Sequence, residues 1–185
     1  MALCGLKALL GVVVLSTVIA LPVYAQSEVV NFDAATFSAD DVVSALQGQV
    51  SDAMLTRGIT RSKAENGRPG ARKLSVQMQF GVNSAALSEL ARRRLEVLAD
   101  GLAAPALSSL RFEISGHTDI SGNLARNMSL SRQRAEAVTE FLVQQGGLDR
   151  SRLQASGRGP TELLDRRNAS SPVNRRVQIE VLEPR

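Results

Sequence analysis

Leu74, Val76, Met78 and Phe80 alternate with Ser75, Gln77 and Gln79. A period of two marks a half-buried strand. Leu87, Ala91, Leu95, Leu98 and Leu102 then recur at steps of three and four. That spacing gathers them on one face of a helix, with Arg92, Arg93 and Glu96 on its other sides. Ala104-Pro105 ends it. Leu110, Phe112 and Ile114 alternate again and predict a second strand. A second helix carries Val138, Phe141 and Leu142 on one face, and Gly146-Gly147 stops it. Leu153 and Ala155 suggest a short third strand; Val177, Ile179 and Val181 predict a last one. The order β-α-β-α-β-β predicts an α/β (α+β) two-layer sandwich, two main helices on one face of a mixed four-stranded sheet. Residues 74–185, about 110 in all, suffice for one core.

The chain ahead of residue 74 is laid out differently. Residues 26–56 carry five acids (Glu28, Asp33, Asp40, Asp41, Asp52) and no base. Within them Ser38-Ala39-Asp40-Asp41 opens a short helical pattern with Val42, Val43 and Leu46, a helix that either packs on the main domain or docks elsewhere. Residues 57–73 carry six bases (Arg57, Arg61, Lys63, Arg68, Arg72, Lys73) against Glu65, and hold Asn66-Gly67 and Pro69-Gly70. Those dipeptides read as loop, so 57–73 is expected to be a mobile basic linker; the functional alternative is a patch for anionic lipid or polymer. Residues 1–25 have Lys7, an apolar run from Ala8 to Val23, and Val23-Tyr24-Ala25 before Gln26. This is the secretory signal pattern, with cleavage expected after Ala25. The run falls short of the ~20 apolar residues of a usual span. Cys4 precedes the run, so lipid attachment is not supported.

Composition narrows the function classes. Of 185 residues, 44% are apolar and 22% charged, with a formal net charge of +4. So small an excess does not imply nucleic-acid binding. Five Phe, one Tyr and no Trp make poor stacking platforms for bases. One Cys excludes a disulfide framework and a Cys-based metal site. One His, His117, argues against a zinc enzyme or a His-centred triad.

The chemistry concentrates in Gly116-His117-Thr118-Asp119-Ile120-Ser121-Gly122, at the end of the second predicted strand, and in Asn127 to Ala135 after it. Loops at strand ends are where sites usually sit. Ser131 is a candidate N-cap, so the second helix is expected to start there. Arg132, Glu136 and Glu140 are spaced by four, an exposed ion-pair ladder worth about 0.2–0.5 kcal/mol per pair. Arg134 lies at the margin of the buried face, in the expected first turn, where a cation opposes the helix dipole. It is better explained if it meets an anion, which could also reach the free N–H groups of that turn. With Asp119 across the groove, a fixed minus and a fixed plus would suit a zwitterion, Arg134 on the carboxylate and Asp119 on the ammonium. Two plainer readings stand beside this: Asp119 caps a turn, or Asp119 and Arg134 pair with each other.

Four ordered blocks carry a resemblance: Phe80-Gly81-Val82-Asn83-Ser84; Gly116-His117-Thr118-Asp119 with Gly122; Asn127, Leu130-Ser131, Arg134-Ala135 and Val138; and Gly157-Arg158-Gly159 with Asn174-Arg175-Arg176-Val177. With them, residues 74–185 resemble the OmpA-like C-terminal domain, the peptidoglycan-anchoring module of Gram-negative envelopes. The resemblance implies noncovalent binding of stem peptides through meso-diaminopimelate, whose side chain ends in a free amino-acid head. It puts the ligand-holding pair on Asp119 and Arg134, and sets Asn83, Thr118, Asn127, Leu130 and Arg176 near the groove. Plainer roles stand beside these: a turn at Asn83, core at Leu130, an exposed strand-end charge at Arg176. His117 is read as a structural hydrogen-bonding residue. Two features depart from the family's common form: the loop 160–173, and Arg158 where an aromatic is frequent.

The reading is therefore a non-enzymatic, cofactor-free module, exported to the periplasm and held to cell wall and outer membrane, with an envelope protein as a second partner through 26–56. A MotB-like stator subunit that keeps its apolar segment is the alternative. Residues 8–25 contain no acidic residue for proton transfer, which counts against it. A hydrolase using His117, Asp119 and Ser121 would crowd all its groups into five residues of one loop with no separate oxyanion provision.

Overall fold

A computed structural model describes residues 28–32, 36–56, 59–63, 72–78, 80 and 83–182. Ten elements follow in order: β1 (Glu28–Asn31), α1 (Ala39–Leu46), α2 (Asp52–Thr56), β2 (Thr60–Lys63), β3 (Arg72–Val76), α3 (Glu89–Ala103), β4 (Arg111–His117), α4 (Leu124–Gln144), β5 (Leu153–Gly159) and β6 (Val177–Leu182). The strands form one sheet in the order β2-β1-β3-β6-β4-β5. β1 runs parallel to β3 and β4 parallel to β5; the other pairings are antiparallel. The sheet is thus six-stranded, where four were expected, and the two extra strands come from the N-terminal region.

That region belongs to the same core. Val30, Phe32, Phe37, Val42, Leu46, Met54 and Ile59 are buried in one cluster with Leu74, Leu95, Phe112, Leu142 and Ile179. The α1 helix begins at a capping box: Ser38 accepts from the Asp41 N–H, and the Asp41 carboxylate accepts from the Ser38 N–H at 2.8 Å. The expected linker 57–73 is corrected in part. Residues 60–63 form β2 and Arg72-Lys73 open β3; 57–58 and 64–71 lie outside the described residues. β2 was hidden because Thr-Arg-Ser-Lys is polar throughout, the composition suited to a sheet edge. The apolar run and cleavage site expected in 1–25 also lie outside the described residues. No helix among those described is long and apolar enough to cross a membrane.

The main domain follows its periodicity. Leu74, Val76, Phe112, Ile114, Val177 and Ile179 turn to the helix side and are at or near zero exposure. The other side of the sheet is ionic: Lys73 meets Glu180 across strands at 2.9 Å, and Arg158 meets Glu113 at 2.7 Å. Arg152 ties the end of α3 to the sheet, donating from Nη2 to the Leu102 and Leu107 carbonyls and from Nε to the Leu110 carbonyl.

One boundary matters for the site. The α4 helix starts at Leu124, not at Ser131: Asn123 Oδ1 accepts from the N–H groups of Ala125 and Arg126. Asn caps as well as Ser. Ser131 is instead buried mid-helix, donating to the Met128 carbonyl at 2.8 Å and accepting from the Gly159 N–H at 2.9 Å. The helix rides close over the sheet here. A Cβ at Gly116 would lie 2.0 Å from the Ser131 carbonyl oxygen, and one at Gly157 2.6 Å from the Arg132 nitrogen. Those glycines let α4 descend onto β4 and β5, which brings the loop after β4 against the helix.

Candidate functional site

The loop leaves β4 at Thr118, whose N–H donates to the Gly159 carbonyl at 2.9 Å. Asp119 follows and closes a turn by accepting from the Ser121 N–H at 2.9 Å. Gly122 takes a left-handed φ of 89°, and Asn123 caps α4. One turn into the helix, Asn127 Nδ2 donates to the carbonyls of Ser121 (2.9 Å) and Asp119 (3.3 Å). Asn127 is buried and fixes this loop to the helix. Thr118 is buried as well, with no hydrogen-bond partner for its hydroxyl among the described residues.

Arg134 lies in the third turn of α4, only 7% exposed. Its Nε donates to the Ser84 carbonyl at 3.1 Å, and its guanidinium lies 4.7 Å from the Phe80 ring centre. No carboxylate of the described residues pairs with it, so the plainer reading of an Asp119–Arg134 pair is not what the structure has. Asn83 explains the reach to Ser84. It is exposed and holds a left-handed φ of 52°, a conformation Asn tolerates better than most residues, and that turn presents the Ser84 carbonyl to the arginine.

Asp119 pairs with another residue. Its Oδ2 accepts from Arg175 Nη1 at 2.7 Å. Burial alone would raise the Asp119 pKa, but the bonds from Arg175 and Ser121 overcome it and hold the carboxyl below its usual value. Burial lowers the Arg134 pKa, as does the neighbouring Arg175 charge, while Asp119 opposes the shift. A guanidinium stays charged all the same.

These groups surround a cavity of about 360 Å³, lined among the described residues by Gln77, Met78, Phe80, Arg134, Pro172 and Arg175. It has an apolar wall and two cations. Asp119 does not line it directly; Arg175 links the carboxylate to it. The lining suits an anion with a hydrocarbon stem.

The expected site residues thus separate. Asp119 and Arg134 share a neighbourhood through Arg175 but do not pair with each other. Arg134 is not in the first helical turn, so no free N–H groups accompany it. Asn127 and Asn83 position backbone, and Leu130 is half-buried and outside the cavity lining. Arg176 is buried and turned away: Nη2 donates to the Glu162 carbonyl and to Gln178 Oε1, both at 3.2 Å. Its neighbour Arg175 is the one at the cavity. Strand parity carried that signal, since 175 shares the side of Val177 and Ile179, and 176 the side of Gln178. His117, at 1% exposure, lies on the sheet side away from α4 with Nε2 3.2 Å from the Ser115 hydroxyl. Burial, then the charges of Arg176, Arg158 and Lys73, push its pKa well below 6.5, so it is neutral at pH 7.

Asn174 organises the atypical loop. Fully buried, it accepts at Oδ1 from the N–H groups of Leu164 and Asp165 and donates from Nδ2 to the carbonyls of Asp165, Asn168 and Ala169. The loop thereby presents Pro172 and Arg175 to the cavity.

A family model described as "OmpA family" matches residues 79–176. Over 111 residues the chain is 31% identical to outer membrane porin F of Pseudomonas aeruginosa, covering 59% of this chain and 31% of that protein. Over 68 residues it is 38% identical to the probable lipoprotein YiaD of Escherichia coli, covering 36% of this chain and 31% of that protein. The chain therefore spans about a third of these relatives' lengths. Among solved structures, the cell wall anchor of the T6SS from Pseudomonas aeruginosa superposes with a TM-score of 0.51 at 27% identity, covering 62% of this chain and 82% of that one.

Proposed function

Because the chain belongs to the OmpA family, we propose that it is a noncovalent peptidoglycan-binding module that holds the cell wall through the diaminopimelate residue of stem peptides. The observation that carries this reading is Arg134: a buried guanidinium at a cavity, with no carboxylate of the described residues to pair with. An unpaired buried cation costs several kcal/mol, a cost a binding site recovers when its ligand supplies the anion. The side-chain carboxylate of diaminopimelate supplies it, on a hydrocarbon stem that fits Met78, Phe80 and Pro172. Its ammonium complements Asp119. The likeness to a cell wall anchor supports the same role. We place the module in the periplasm, exported by a signal segment cleaved after Ala25 and associated with cell wall and outer membrane, with an envelope protein as a further partner of 26–56. We read it as a binding protein, not an enzyme.

The test is co-sedimentation of the exported chain with sacculi whose stem peptides carry diaminopimelate or lysine at the third position. Binding to the first and not the second is expected, with competition by free meso-diaminopimelate. Arg134→Ala should weaken binding at least about 30-fold, as truncating one partner of a buried charge pair does. Equal binding to both kinds of sacculi would refute the ligand assignment.

A further inference from the structure

Arg134 and Arg175 both line the cavity, but they are held in different ways. Arg134 is fixed by burial, by the Ser84 carbonyl and by the Phe80 ring. The Arg175 side chain is 45% exposed, and among the described residues it donates to Asp119 Oδ2. The Asp119 side chain is 9% exposed, and its other oxygen accepts from the Ser121 N–H. A cation approaching Asp119 from the cavity therefore meets Arg175 first.

We propose that Arg175 is a specificity-determining residue of this site: its guanidinium sits on Asp119 where a ligand's ammonium has to sit, so the site selects ligands that bring their own cation to displace it. This rests on the function proposed above. An acid lacking an amine keeps Arg175 in place and gains only the two guanidinium charges. A zwitterionic head exchanges its ammonium for Arg175 on Asp119 and puts its carboxylate on Arg134. The exchange leaves no charge unpaired: the ammonium replaces Arg175 on the buried carboxylate, and the freed guanidinium, already 45% exposed, regains water.

The test compares two probes on the full chain by calorimetry: meso-diaminopimelate, and pimelate, the same diacid without amines. Arg175→Gln removes the competing cation at an exposed position. It should tighten diaminopimelate binding by at least about 1.5-fold, the lower bound set by a fully exposed ion pair, while pimelate binding weakens. Arg175→Lys keeps a competing charge and should stay near the parent protein. If Arg175→Gln weakens both probes in parallel, Arg175 is a plain anion contact and the proposal fails. Unchanged binding of both probes overturns it equally. If the parent protein binds neither probe nor diaminopimelate-type sacculi, the function itself is refuted; if it binds sacculi normally and only the arginine variants disagree, that function survives and this inference alone falls.

Discussion

Arg134→Met separates a binding residue from a structural one. The arginine contributes a charge-assisted hydrogen bond to the Ser84 carbonyl, worth about 1.5–3 kcal/mol, and a cation–π contact with Phe80, worth about 0.5–2 kcal/mol. Against these stands the cost of burying a guanidinium with no carboxylate beside it, several kcal/mol in protein interiors. Repulsion from Arg175 adds to that cost. Methionine keeps an unbranched stem against Phe80 and removes the charge. The opposing contributions nearly cancel, so the free protein should change in stability by no more than about 1–2 kcal/mol in either direction. Binding to diaminopimelate-type sacculi should fall at least about 30-fold. Urea melts at constant m-value give the first quantity; sedimentation titration gives the second. A loss of more than about 3 kcal/mol, with binding per folded molecule intact, would make Arg134 a brace for the Ser84 turn and refute the reasoning.

Three further outcomes follow from the packing and the charges. Gly116→Ala places a methyl 2.0 Å from the Ser131 carbonyl; overpacking of this kind costs about 1–3 kcal/mol or more, and the lifted helix should carry Arg134 away, so chemical denaturation and sacculus binding should both suffer. Arg152→Lys retains the charge but cannot span the carbonyls of Leu102, Leu107 and Leu110; urea melts should show a loss of about 1–3 kcal/mol, since acceptors are left unsatisfied, with binding unaffected. His117 is held neutral in the fold, its pKa well below 6.5. Below about pH 6.5 the unfolded chain gains a proton that the folded chain refuses, so stability should fall with acidity by up to ~1.4 kcal/mol per pH unit until the folded pKa is reached. His117→Gln should flatten that part of the stability–pH curve; an unchanged slope would assign the acid sensitivity to other groups.

The fold from Leu74 onward was legible because its strands and helices bury one face each, and one-sided burial writes itself as a period. The α4 start was misplaced because two residues, Asn123 and Ser131, make equally good caps. Distinguishing them required knowing that Gly116 and Gly157 admit the helix so closely that Ser131 is consumed by the Gly159 N–H. β1 and β2 escaped for a different reason. Four residues are too few to display a period, and an edge strand is written in polar residues. Among the site residues, Asp119 and Arg134 stood out as charges near a buried face. The family resemblance points to Arg176, whereas counting back from Val177 and Ile179 by twos assigns 175 to the helix side.

Period two cannot reveal how far each guanidinium is satisfied. Arg152, Arg176 and Arg134 all lie against the domain interior, and nothing in composition separates them. Arg152 and Arg176 spend their N–H groups on carbonyls that chain topology leaves exposed at loop and helix ends. Arg134 makes one bond to a carbonyl of the described residues and lines a cavity. A buried arginine whose donors are consumed by backbone is a fastener; one whose donors face open space beside an apolar wall keeps them for an acceptor from outside. On that criterion the site is defined less by the residue types in the Gly116–Gly122 loop than by the hydrogen bonds left over once the loop has been fastened. Asn127 and Ser121 do the fastening, which leaves Arg134 and the Arg175–Asp119 pair as the groups able to exchange partners.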